Sequence, residues 1–230
     1  MRATHQHRPL LIVGVVCTTF LAGMAASGLI GSAGTPDRSG GSNARSAPTE
    51  QSSSGPAKYR NGIPAGFARS KDGARAAAVG YVLTGQVLIN LPAQEMDRAI
   101  RAMSSAGSAD EQVSTAEQQL DQVRSTLAPG TGPTRYVQAV LATRIDAFGP
   151  DRARVSVWNV GVLSRVGVAA PQAGWSTSVL DLVWERGDWK LWGDTTDPGP
   201  SPALNAGDAP ATSEALEAAL GGFTPWEPSS

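Results

Sequence analysis

The sequence predicts an α+β protein in which helices pack on a curved, cone-like, antiparallel sheet of four strands. Apolar residues recur at spacings of three and four up to about residue 127, and after Pro133 apolar and polar residues alternate. An uncharged apolar run near the N-terminus, followed by small polar residues, adds a transmembrane helix and a disordered linker. The expected organisation is a cytoplasmic N-terminus at 1–9, a transmembrane helix at 10–31, the linker at 32–58, an extracytoplasmic α+β domain at 59–204 and a C-terminal tail with a short helix at 205–230.

The apolar run from Leu10 to Ile30 predicts the compartment. It has 21 residues without a charge, and at about 1.5 Å per residue a helix of that length spans a bilayer. Arg2 and Arg8 precede it without an acid, so the positive-inside bias places the N-terminus in the cytoplasm and the domain outside the cell membrane. Cleavage as a signal peptide is the alternative, because the small residues at 23–25 and 31–33 could satisfy a signal peptidase. Its length favours a retained single-pass anchor.

Three amphipathic stretches predict the helices. Ser70 is the expected N-cap of the first, which ends before Pro92. The second runs from Ala93 to Met103, and the third follows a capping box formed by Ser108 and Glu111. The expected core faces are Ala74, Ala77, Ala78, Tyr81, Gly85 and Leu88, then Met96, Ala99, Ile100 and Met103, then Val113, Ala116, Leu120, Val123 and Leu127.

Period-two patterns predict the four strands, which are Arg135 to Phe148, Arg152 to Val166, Trp175 to Arg186 and Trp189 to Asp194. Between the last two, Gly187-Asp188 suits a two-residue type II′ turn. That register sets Asp181 opposite Asp194 and directs Leu180, Leu182, Trp184 and Leu191 to the core.

Composition limits the chemistry of the domain. The two histidines and the single cysteine all lie within the first 17 residues. The rest of the chain therefore has no Ser-His-Asp or Cys-His nucleophile system, no His or Cys zinc site and no internal disulfide. Asp181 with Asp194 could bind a cation, and Asp146 with Tyr81 could transfer a proton, but structural roles explain both pairs better. We predict no catalytic, cofactor-binding or metal-binding residues, no cofactor and no enzymatic activity.

Charge and aromatic residues indicate the kind of partner. The domain carries 14 Lys and Arg against 14 Asp and Glu, so direct binding to nucleic acid is not expected. Trp184 and Trp189 are expected in the core, and Arg186-Gly187-Asp188 is read as a hairpin turn and not as an adhesion motif. The candidate interaction residues are Trp158, Trp192, Phe223 and Trp226.

Two segments carry a resemblance to a known group of proteins. Gly-Ile-Pro-Ala-Gly-Phe-Ala-Arg-Ser-Lys-Asp-Gly-Ala-Arg-Ala-Ala-Ala, starting at Gly62, and Trp-Glu-Arg-Gly-Asp-Trp-Lys-Leu, starting at Trp184, resemble actinobacterial single-pass membrane proteins of conjugative elements. The resemblance covers about Gly62 to Asp197. It implies an extracytoplasmic nuclear transport factor 2-like domain, similar to inner-membrane assembly factors of type IV secretion systems. It also implies other membrane or secretion-channel proteins, or further copies of the chain, as partners.

The leading hypothesis is a membrane-anchored extracytoplasmic protein-interaction or scaffold module of a conjugation or secretion assembly. The alternative is an extracytoplasmic small-molecule or lipid binding domain that uses a cone pocket, because the same layout occurs in envelope proteins associated with lipid import. An enzyme of the cone-fold isomerase or dehydratase type is the third hypothesis. It would need an aspartate and a polar partner together inside a pocket.

Overall fold

The computed structural model describes residues 55–60, 62–126, 134–165, 169–202 and 212–227. The predicted N-terminal segment, transmembrane helix and nearly all of the predicted linker lie outside the described residues. Within the described ranges, no helix combines the length and the apolar character that a membrane crossing requires.

The described ranges contain four helices and seven strands. The helices are α1 (Lys71–Leu88), α2 (Ala93–Met103), α3 (Ala109–Thr126) and α4 (Ser213–Ala219). The strands are β1 (Lys58–Arg60), β2 (Ile63–Ala65), β3 (Thr134–Phe148), β4 (Arg152–Arg165), β5 (Ala169–Glu185), β6 (Asp188–Pro198) and β7 (Thr224–Pro225).

The first three helices confirm the sequence prediction. The Ser70 hydroxyl accepts a hydrogen bond from the Gly73 N–H at 3.0 Å, as an N-cap does. At the start of α3 the Ser108 hydroxyl donates to the Leu191 carbonyl at 2.9 Å, which ties this end of the helix to β6. The buried apolar residues of α1, α2 and α3 join the strands in one core.

The four-stranded, cone-like sheet of the sequence prediction is wrong, and the nuclear transport factor 2-like cone that the resemblance implies is not what the structure shows. In the described residues the main sheet has five antiparallel strands in the order β6-β5-β4-β3-β7, and β1 and β2 form a separate two-stranded sheet. The fifth strand comes from the C-terminal tail and has only two residues, while β1 and β2 have three each. Segments this short carry no readable alternation, so the pattern that revealed β3 to β6 could not reveal them.

The β5–β6 hairpin also differs from its predicted register. Glu185 pairs with Asp188, so the turn is Arg186-Gly187 and not Gly187-Asp188. Both turn residues have positive φ, 56° and 77°, which is the type I′ geometry that matches the twist of a two-residue hairpin. Trp184 therefore faces Trp189, and their rings meet edge to face with centroids 5.3 Å apart.

A bulge in β6 changes the second half of the hairpin. Leu182 pairs with Leu191 but Asp181 pairs with Gly193, which leaves Trp192 as the extra residue. The predicted Asp181–Asp194 pair is therefore wrong. Asp194 faces Leu180 and is buried at 3% exposure on the helix side of the sheet.

A buried polar cluster locks the hairpin to the helices. The Asp188 carboxylate accepts the Phe67 N–H at 3.0 Å and the Lys190 ammonium at 3.2 Å. Lys190 also donates to the Ala102 carbonyl at the end of α2, at 2.7 Å. The Tyr81 hydroxyl donates to the Trp189 carbonyl at 2.5 Å. Burial, together with the nearby Asp188 charge, raises the pKa of Tyr81 far above its usual range.

Candidate interaction surface

The bulge in β6 presents Trp192 to solvent. Its side chain is 44% exposed, although neighbouring Leu191 is fully buried. Gly107, in the turn before α3, lies against the indole so closely that a Cβ there would come within 2.9 Å of the ring. Because Gly107 has no side chain, the Trp192 indole can pack directly against the backbone at this position.

The β3–β4 hairpin supplies a second aromatic and a cation to the same region. Phe148 is 43% exposed, and the Arg152 guanidinium lies over the Trp192 ring at 5.8 Å from its centroid. Phe148, Arg152 and Trp192 line one open groove of about 990 Å³. We call Gly107, Phe148, Arg152 and Trp192 the Trp192 surface.

The rim of this groove is charged. Arg154 and Asp181 face each other across β4 and β5 with nitrogen and oxygen 3.6 Å apart, as expected if an arginine neutralises that aspartate. Glu111 lines the groove from α3. The groove thus combines two exposed aromatic side chains with charges of both signs.

Trp158 has an intramolecular role. Its indole N–H donates to the Pro200 carbonyl at 3.1 Å, and the Thr177 hydroxyl donates to the Gly199 carbonyl at 3.0 Å. Through these bonds the segment after β6 crosses the outer face of the sheet from β5 to β4. Trp158 is half-buried and holds this crossing segment.

Phe223 and Trp226 lie together at the edge of β3. The Phe223 ring lies 4.7 Å from the Arg144 guanidinium. Trp226 is half-buried against the core, and its backbone N–H donates to the Leu141 carbonyl at 3.0 Å. Between them Thr224 and Pro225 form β7. Of the four predicted interaction residues, these two are brought together, whereas Trp158 contacts the segment after β6 and Trp192 lines the groove.

The residue pairs considered for proton transfer or metal binding are not assembled. Asp146 accepts from Arg144 at 2.6 Å and from the Ser156 hydroxyl at 2.5 Å, whereas the Tyr81 hydroxyl is bonded to Trp189. Among the described residues, no cluster of three or more His, Cys, Asp or Glu side chains could hold a metal ion. Asp188 is 6% exposed, so the Arg-Gly-Asp tripeptide does not present its carboxylate to solvent.

The sequence reasoning missed Arg144, Arg152, Phe148 and Gly107. Phe148 could have been found, because an aromatic residue directly before a Gly-Pro-Asp turn lies at the end of a hairpin, where a large side chain is hard to bury. The two arginines carry no such signal, since their importance depends on which aromatic ring the folded chain places beside each.

Comparison with known proteins gives the family of the chain. A family model described as a domain of unknown function, DUF8175, matches residues 40–211. No curated protein matches the chain. Among solved structures, the intermembrane space region of the chloroplast protein ARC6 is similar at 11% identity and a TM-score of 0.30, over 46% of this chain and 80% of that one. A likeness this weak supports no conclusion about fold or function. The family model covers well over half of the sequence, and the chain belongs to the DUF8175 family.

Proposed function

We propose that this chain is a membrane-anchored, extracytoplasmic protein-interaction module, and that its partners are subunits of a conjugation or secretion assembly. The observation that carries the proposal is the Trp192 surface, where Trp192 and Phe148 remain 44% and 43% exposed beside Arg152. The uncharged run from Leu10 to Ile30 supports the anchor, and the resemblance of the segments at Gly62 and Trp184 supports the setting.

The energetics of such a surface favour binding to a protein. Tryptophan and arginine are enriched among the few residues that dominate binding energy. Tryptophan buries a large area while ordering only about two torsions, and the planar guanidinium of arginine can stack on aromatic rings and donate several hydrogen bonds. The bulge leaves Trp192 outside the ladder of β6, and Gly107 leaves room for the indole beside the turn before α3. Little rearrangement is then needed on binding, which reduces the entropic cost of association.

The described groove gives less support to lipid binding. A lipid site needs a dry, apolar lining, but this groove is open and carries Arg152, Arg154 and Asp181. The helix side of the sheet is also partly polar: Asn159 is fully buried and donates to the Ser176 carbonyl at 3.3 Å.

Affinity purification tests the proposal. Full-length protein with a C-terminal tag is purified from detergent-solubilised membranes, its intact mass is measured, and the co-purifying proteins are identified. We expect an uncleaved mass and channel or transfer subunits, whose recovery falls at least tenfold for Trp192→Ser. Tyr59→Ser is the matched control, because Tyr59 is 68% exposed and lies on β1, outside the groove. Equal recovery with both variants, or a cleaved and solitary protein, contradicts the proposal.

A further inference from the structure

The C-terminal tail, residues 212–227, is held by few contacts. Only Thr224 and Pro225 pair with β3, opposite Thr143 and Ala142. Helix α4 has no buried residue, and every residue of the tail is exposed or half-buried. A segment attached in this way opens at a much lower free energy than the whole domain unfolds.

The acceptor site on β3 is organised independently of the tail. The Ser156 hydroxyl on β4, fully buried, donates to one oxygen of Asp146, and the other oxygen accepts from Arg144. These bonds orient the guanidinium using residues of β3 and β4 alone. The oriented guanidinium then lies over the Phe223 ring and donates to the Gly221 carbonyl at 3.3 Å. The edge of β3 is therefore a built site for an extended segment.

We propose that this site also takes the tail of a second copy, so that neighbouring chains exchange their C-terminal segments at the edge of β3. A second copy carries the same Phe-Thr-Pro-Trp segment, and its contacts with Arg144, Thr143 and Leu141 would be the same as those within one chain. Only the effective concentration then decides between the two arrangements.

Chain length and location make the exchange feasible. Nine residues, 203–211, join Pro202 to Thr212, and nine residues can span at most about 30 Å. That is about the width of a small domain, so a tail can reach the β3 edge of a chain packed alongside. The proposed membrane anchor, on which this step rests, would confine the copies whether or not the Trp192 surface has bound a partner. It would raise their local concentration toward the millimolar range at which binding between chains competes with binding within one.

Disulfide trapping at the observed register tests the exchange. Thr143 and Thr224 are direct partners, and opposed residues of antiparallel strands have Cα atoms within the range that a disulfide spans. In a Cys17→Ser background, one copy carries Thr143→Cys and a second, with a different tag, carries Thr224→Cys. The full-length copies are co-expressed, oxidised in membranes and separated on a non-reducing gel.

We expect a disulfide that joins the two tags. Phe223→Ser in the Thr224→Cys copy should leave its yield unchanged within about twofold, because the variant loses the same contact with Arg144 within one chain and between chains. The variant Trp192→Ser should not change the yield, which separates this proposal from the proposed function. A chain carrying both cysteines serves as the reference for docking within one copy.

Three results would overturn the proposal. The first is a double-cysteine chain that closes internally while the mixed copies give no joined product. The second is a double-cysteine chain that forms no disulfide at all, which would contradict the docking register itself. The third is a disulfide between Thr143→Cys and a protein other than this chain, which would assign the site to a different occupant.

Discussion

Two buried tyrosines should differ in how the loss of the hydroxyl group changes the free energy of unfolding. Tyr81 donates to the Trp189 carbonyl at 2.5 Å, so Tyr81→Phe removes a buried hydrogen bond and should cost about 1–2 kcal/mol at neutral pH. The buried Tyr136 hydroxyl has no hydrogen-bond partner among the described residues and lies over Gly161. Tyr136→Phe should therefore leave the free energy of unfolding unchanged within about 0.5 kcal/mol, or raise it.

Alkaline pH should separate these tyrosines from exposed ones. Burial raises the pKa of both hydroxyls far above the value near 10 of an unfolded chain. A raised native pKa means that the stabilisation is complete below about pH 10 and is lost as the pH rises further. From pH 9 to pH 11, each buried tyrosine should lower the free energy of unfolding by about 1.4 kcal/mol, and the pair by about 2.7 kcal/mol.

These changes in the free energy of unfolding can be measured by urea unfolding of the detergent-solubilised full-length protein at pH 9 and pH 11, followed by tryptophan fluorescence. Tyr136→Phe should roughly halve the loss between the two pH values, and Tyr59→Phe, with its exposed ring, should preserve it. An equal alkaline loss in Tyr136→Phe and in the unsubstituted protein would refute the buried placement of that hydroxyl.

Two further predictions concern the β5–β6 hairpin. Asp188→Ala leaves the Phe67 N–H and the Lys190 ammonium without their shared acceptor, so it should lower the free energy of unfolding by about 3 kcal/mol, measured with urea. Asp188→Asn keeps an acceptor oxygen and should lower it by less. Equal losses for the two variants would contradict the role of Asp188 as the shared acceptor. Arg186 has a φ of 56°, a region that asparagine adopts more readily, so Arg186→Asn should raise the melting temperature by a few degrees, and a fall would contradict the type I′ turn.

The helices could be predicted because their signals are local. Ser70 caps α1, and the run from Ala93 to Met103 shows its buried face within its own eleven residues. The long strands β3 and β4 were found for the same reason, since alternation over 15 and 14 residues leaves little ambiguity. In both cases the information that determines the element lies inside the element.

The errors arise where the structure depends on residues distant in sequence. The pairing of β7 with β3 joins Thr224 to Thr143, and the contact is specified by the Arg144 site and not by strand propensity. The turn was misplaced because Gly187-Asp188 has good local turn chemistry, but Asp188 is the acceptor for Phe67, some 120 residues earlier. That buried bond requires Asp188 in the strand, and the turn moves to Arg186-Gly187 despite a non-glycine residue at positive φ.

The bulge at Trp192 separates two residues, Trp192 and Asp194, that strict alternation would place on the same face of β6. Strict alternation after Leu191 places Trp192 and Asp194 on the solvent side. The extra residue keeps Trp192 outside but returns Asp194 to the helix side, opposite Leu180. A bulge disrupts the ladder locally, and bulges are frequent where a side chain is redirected to a binding site. Removing the bulge by deleting Trp192 would restore a continuous ladder and remove the indole from the groove, leaving Phe148 as its aromatic residue. If the co-purifying partners were recovered equally well after that deletion, the Trp192 surface would be a by-product of how β6 folds and would not be the site that binds the partner.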